Sequence, residues 1–112
     1  MAMSERVADY TPDTFREAIG SGLPALVDFW ADWCAPCHQM PPILELVAEG
    51  FAGQALVGKV DVVQHPELGD AYGITSLPTF IIFRDGAVVK RFSGAKRQPQ
   101  LERELAAAVT AE

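Results

Sequence analysis

The chain has 112 residues, 49% of them hydrophobic and 21% charged, with a formal net charge of -6. That size and balance suit one globular domain, residues 1–112, built on a single core, and they exclude wholesale disorder. The acidic balance disfavours nucleic acid and anionic membrane as partners, since both recruit basic patches, and leaves other proteins as the expected ones.

Residues 1–6 are expected to form a flexible N-terminal extension and lack the basic-then-apolar pattern of a signal peptide. No stretch is long and apolar enough to span a membrane, so a cytoplasmic location is expected. The two cysteines, Cys34 and Cys37, would not be kept as a structural staple in a reducing cytoplasm. Catalysis, redox sensing or metal binding then remain.

In chain order, Arg6-Val7-Ala8 is at most a short edge strand. Thr11-Pro12-Asp13 starts a helix, with Thr11 as cap, Pro12 at the first helical position and Asp13 favourable to the dipole. Phe15, Ala18 and Ile19 share its apolar face, and Gly20-Ser21-Gly22 ends it. Leu23–Trp30 is a nearly continuous apolar run of the kind a doubly covered central strand requires, contradicted only by Asp28. A carboxylate there must be protonated, paired or at the strand rim.

Cys34-Ala35-Pro36-Cys37 follows directly, and a Cys-x-x-Cys pair near β-α-β patterning points to thiol–disulfide exchange. Met40, Ile43, Leu44, Val47 and Phe51 recur at helical spacing, which predicts one long amphipathic helix from Cys34 to Phe51, bent at Pro42. Leu56–Val63 is a second strand holding Lys59 and Asp61, and His65-Pro66-Glu67 opens a short helix through Tyr72. Phe80–Phe83 and Val88–Phe92 flank Asp85-Gly86, a hairpin signal, so these last strands are antiparallel neighbours. Gln98 is a weak helix cap, Pro99 follows it, and Leu101, Leu105, Ala108 and Val109 form the apolar face of a closing helix.

Val27-Asp28-Phe29-Trp30-Ala31-Asp32-Trp33-Cys34-Ala35-Pro36-Cys37, Gly73–Thr79, Asp85-Gly86 and Gly94 together resemble the thioredoxin family over nearly the whole chain. The resemblance implies an α/β thioredoxin fold, a central mixed sheet of about five strands flanked by about four helices. It also implies general protein-disulfide reduction by a monomer needing no cofactor and no metal. Cys34 would attack and Cys37 resolve. Asp28 would be a buried acid below Cys37 that takes its proton, with Lys59 as its cationic neighbour. Trp33, Ala35, Pro36, Leu77, Pro78, Gly94 and Ala95 would contact substrate, with a cis Leu77-Pro78 bond and with Leu77 in the groove and not in the core. Oxidised proteins would be the substrates and thioredoxin reductase, with its flavin, the electron donor, because no nucleotide-binding glycine motif is present.

Taken singly, Asp28 also fits a rim residue, Lys59 a surface lysine and Trp33 an exposed aromatic. Ala35 and His38 depart from the commonest family pattern, and both bear on the redox poise. Three other functions compete: an oxidase or isomerase on the same fold, c-type haem attachment through Cys34, Cys37 and His38, and zinc binding by those three with His65.

Overall fold

The computed structural model describes residues 6–111; the extension expected at residues 1–6 lies, Arg6 apart, outside the described residues. Along these the order is β1 (Val7–Asp9), α1 (Pro12–Ile19), β2 (Ala25–Trp30), α2 (Met40–Gly50), β3 (Leu56–Asp61), α3 (Pro66–Ala71), β4 (Thr79–Arg84), β5 (Ala87–Ser93) and α4 (Gln98–Thr110). The strands form one mixed sheet in the order β1-β3-β2-β4-β5. β3 runs parallel to β1 and β2, whereas β4 is antiparallel to β2 and β5. This is the architecture expected from the sequence.

Local chemistry sets most boundaries. Thr11 Oγ1 accepts from the Thr14 amide at 3.2 Å and Thr14 Oγ1 accepts from the Thr11 amide at 2.8 Å, a reciprocal cap for α1. β3 stops at Asp61 because its Oδ1 takes the Val63 and Gln64 amides at 2.9 and 3.1 Å, turning the chain away from the ladder. Asp85 and Gly86, at φ 53° and 79°, make the tight turn between β4 and β5.

Two expectations are corrected. The long helix from Cys34 to Phe51 is divided: a 3-10 helix spans Pro36–Gln39, and α2 begins at Met40. Pro41 and Pro42 have no amide proton to give to the carbonyls four residues earlier, so an α-helical ladder cannot run through them, whereas the first turn of a new helix accommodates both. Gln98 is not the cap of α4 either. Arg97 occupies that position with extended backbone, and its amide donates to Gln100 Oε1 at 3.1 Å.

The strands' period of two sorts side chains onto two covered faces. Leu26, Val57, Phe80 and Ile82 meet Met40, Leu44 and Val47 of α2 and Leu101 and Leu105 of α4. Val27, Phe29, Val60, Ile81 and Phe83 meet Phe15, Ala18 and Ile19 of α1 and Leu68 of α3. Gly58 is fixed by the second layer, for a Cβ there would stand 2.2 Å from the Tyr10 ring. The Tyr10 hydroxyl is buried with it, and that desolvation pushes its pKa up to about 12.

Parity and strand direction position the functional end. Asp28 and Lys59 share the face of Leu26 and Val57, and they are register partners across β2 and β3. The ends of β2, β3 and β5 and the start of β4 lie at one edge of the sheet, since Trp30 pairs with Asp61, Phe29 with Thr79, and Thr79 with Ser93.

Candidate functional site

β2 delivers the chain to that edge, and a turn with the Cys34 amide on Ala31 O at 3.1 Å reverses it. Cys34 and Cys37 are joined in a disulfide with their Cα atoms 5.3 Å apart. Pro36 holds the first position of the 3-10 helix, where its missing amide proton leaves no bond unmade. The Cys37 amide donates to Cys34 O at 3.2 Å and faces Cys34 Sγ at 3.3 Å. Once the disulfide opens, that amide and the helix start favour negative charge on the Cys34 sulfur. Both cysteines are largely buried, while Ala35 and Pro36 are exposed beside them and Trp33 is 74% exposed.

Beneath the disulfide lies a cavity of about 190 Å³ lined by Asp28, Trp30, Asp32, Cys37, His38, Pro41 and Lys59. Asp28 is 1% exposed, and its Oδ1 has no hydrogen-bond partner among the described residues. Burial raises its pKa from 3.8 to about 7, against a smaller opposing pull from Lys59. A carboxyl that exchanges its proton near neutrality therefore shares a cavity with the second cysteine. Lys59 lines the same cavity, yet its ammonium pairs with Asp9 Oδ1 at 3.4 Å and sits 5.3 Å from the Trp30 ring centroid. Its effect on Asp28 is through the field and not through an ion pair.

His38 closes the cavity on the side of the 3-10 helix. Its Nε2 donates to Asp32 O at 2.6 Å, and its ring meets Trp30 edge-on with centroids 6.4 Å apart. No group of three or more His, Cys, Asp or Glu side chains converges among the described residues, so His38 and His65 do not complete a zinc set with the cysteines.

The Leu77–Pro78 bond is cis. Gly94 N donates to Pro78 O at 2.8 Å, which ties the loop before β4 to the one after β5, and Thr79 Oγ1 donates to Ser76 O at 2.7 Å within the first of these loops. Ala95 is exposed and Gly94 half-buried, but Leu77 packs in part against the core on the α1 and α3 side and is not purely a groove residue. Sequence reasoning missed Asp9 and Pro41, because neither periodicity nor a motif singles them out, and missed Asp32 as a cavity wall although it lies inside the segment Val27–Cys37. It missed Trp30 as a cavity wall as well, although that residue has the parity of Asp28.

Residues 6–107 match the thioredoxin family model. The chain is 45% identical over 96 residues to a thioredoxin of Alicyclobacillus acidocaldarius, covering 86% of this chain and 91% of that one. It is 43% identical over 91 residues to a bifunctional thioredoxin reductase/thioredoxin of Mycobacterium leprae, covering 81% of this chain and 20% of that protein. Among solved structures, a mutant thioredoxin from Halobacterium salinarum superposes with a TM-score of 0.85 at 26% identity, covering 99% of each chain.

Proposed function

We propose, for a chain that belongs to the thioredoxin family and is a protein-disulfide oxidoreductase, that Cys34 attacks, Cys37 resolves and Asp28 accepts the proton of the resolving thiol. The observation that carries these roles is the Cys37 amide facing Cys34 Sγ at 3.3 Å, with Asp28 and Cys37 lining one cavity. The Cys34 thiolate attacks one sulfur of a substrate disulfide, that S–S bond breaks, and the departing sulfur takes a proton from water. A mixed disulfide now links Cys34 to the substrate. Cys37 then gives its proton to the Asp28 carboxylate and attacks Cys34 Sγ. The Cys34–substrate bond breaks, the second substrate sulfur leaves as a thiolate and takes a proton from water, Asp28 later returns its proton to solvent, and the two electrons lost by the dithiol have reduced the substrate.

Lys59 tunes the acid, holding back part of the rise in its pKa. Trp33, Ala35, Pro36, Gly94 and Ala95 offer an exposed or half-exposed rim for extended polypeptide, and the loop at Leu77 and Pro78 forms the wall of the groove. One thioredoxin domain, residues 1–112, carries the cycle as a monomer in the cytoplasm. No described helix is long and apolar enough to cross a membrane. Oxidised proteins are the substrates. A thioredoxin reductase returns the electrons, and the joining of those two names in the Mycobacterium leprae protein supports that partner.

The test is mixed-disulfide trapping. Cys37→Ser should retain the first attack and accumulate covalent adducts with an oxidised protein on non-reducing gels, whereas Cys34→Ser should neither trap nor reduce. Trapping by Cys34→Ser instead would reverse the two roles.

A further inference from the structure

The rim of the site is electrically lopsided in a way that the chain's net charge of -6 conceals. Between Gly86 and Leu101 the sequence carries Lys90, Arg91, Lys96 and Arg97 and no carboxylate. These follow the two antiparallel strands on one side of the cysteines. On the other side, toward β3, stand Asp32 and Asp61.

The four cations are not equivalent. Lys90 is matched by Glu104, 3.8 Å away. The Arg91 guanidinium is taken up by the carbonyls of Tyr72 and Gly73, just ahead of the proline loop. Lys96 and Arg97 have no carboxylate within ion-pair distance among the described residues. The Lys96 ammonium is held at the loop after β5 by Ser93 O and by Gly94 O at 3.3 Å, with the Phe92 ring centroid 5.9 Å away. An ammonium has three N–H donors, and these two carbonyls occupy two of them. The third is open, on a half-buried side chain already fixed beside Gly94, whose amide is bonded to Pro78 O. Arg97, next in sequence, is exposed.

We propose that Lys96 and Arg97 select substrates, and that the disulfides reduced fastest are those flanked by acidic side chains on the β5 side of the site. This rests on the disulfide-exchange function given above and specifies its substrate class. Beyond a Debye length of about 8 Å in physiological salt the overall negative charge is screened, so an acidic partner is not excluded at a distance. Within that length the groove end presents two unmatched cations to it. Complementary charge of this kind fixes the register of an extended segment and raises the association rate. A lysine-rich segment in the same register meets like charge at Lys96 and Arg97.

The experiment uses the full chain in its reduced form with three synthetic cystine peptides, identical except for two residues after the second cysteine: Glu-Glu, Gln-Gln or Lys-Lys. Single-turnover rates are read by acid quench and chromatography. In physiological salt, where the net negative charge is screened beyond about 8 Å, the Glu-Glu peptide should react about tenfold faster than the Lys-Lys peptide, with Gln-Gln between, and the ratio should fall toward unity in about 1 M salt, where screening reaches down to about 3 Å. In Lys96→Glu/Arg97→Glu the order should invert, and Arg97→Glu alone, at an exposed position, should narrow it. The ratio is taken within each protein, so a general loss of activity in a variant cancels. Equal rates for the three peptides, or a ratio unmoved in both variants, overturn the proposal alone. Failure of all three peptides to oxidise the wild-type protein overturns the disulfide-exchange function, and the proposal with it.

Discussion

Asp28→Asn sets stability against catalysis at one buried atom. Its carboxyl has a pKa of 3.8 outside the fold and about 7 inside it. Each pH unit between those values is worth about 1.4 kcal/mol, so the ionised group weakens the native state by about 4 kcal/mol at pH 7. The native state holds this proton more tightly than the unfolded chain does. The group's contribution is therefore complete below pH 3.8 and is lost as pH rises through about 7. Asparagine keeps the size and cannot ionise, but it brings N–H donors to a site whose oxygen already lacks a partner, at about 1 to 2 kcal/mol. The variant should be more stable than wild type by about 2 to 3 kcal/mol at pH 7 and within about 1 kcal/mol of it at pH 4. Urea unfolding at the two pH values measures both differences. Single-turnover exchange should show slower resolution of the mixed disulfide, with the initial attack little changed. A difference in stability that is the same at pH 4 and pH 7 refutes the buried-acid argument. Normal resolution in a variant that unfolds more easily refutes the catalytic one.

Other outcomes follow from the same structure. Gly58→Ala should lose about 2 to 3 kcal/mol in thermal or urea unfolding, because its Cβ would displace the buried Tyr10 ring; an unchanged midpoint would show that the ring moves freely. Tyr10 should ionise near pH 12 in a spectrophotometric titration, and since its folded value is raised by burial, the stability it contributes is complete below pH 10 and lost as pH passes 12. A tyrosine spectrum titrating wholly at pH 10 with the fold intact would contradict that burial. Arg84→Ala should cost about 1 kcal/mol in unfolding, since its guanidinium caps the last turn of α4 through Ala108 O at 2.8 Å and Ala111 O.

Much of this protein is legible in the sequence alone, for reasons that are local. An apolar run of strand length, Thr11-Pro12 at a helix start, Asp85-Gly86 between two β-prone segments and a Cys-x-x-Cys pair each carry their own geometry within a few residues. The redox chemistry belongs to the same class, because the two thiols are only three positions apart. The division of the expected long helix was also written locally, in the two adjacent prolines. Pro42 alone predicts a bend there, but with Pro41 beside it the ladder stops and a new helix starts at Met40.

What the tertiary structure decided concerns groups far apart in the chain. Asp28 could be a rim residue or a buried acid from its sequence context, and only the covering of this end of β2 by the 3-10 helix and the start of α2 desolvates it. Lys59 is its register partner, yet the arrival of β1 on the far side of β3 supplies Asp9, and the ammonium pairs there. Leu77 could line a groove or fill a core from its sequence context, and only the folded layers show that it packs in part toward α1 and α3. Lys96 became notable only when β5 returned to the edge that holds the cysteines and laid its ammonium against the carbonyls beside Gly94. Periodicity and spacing encode which face a residue takes; burial, fields and pairings depend on which distant segment covers that face, and that is settled when the layers pack.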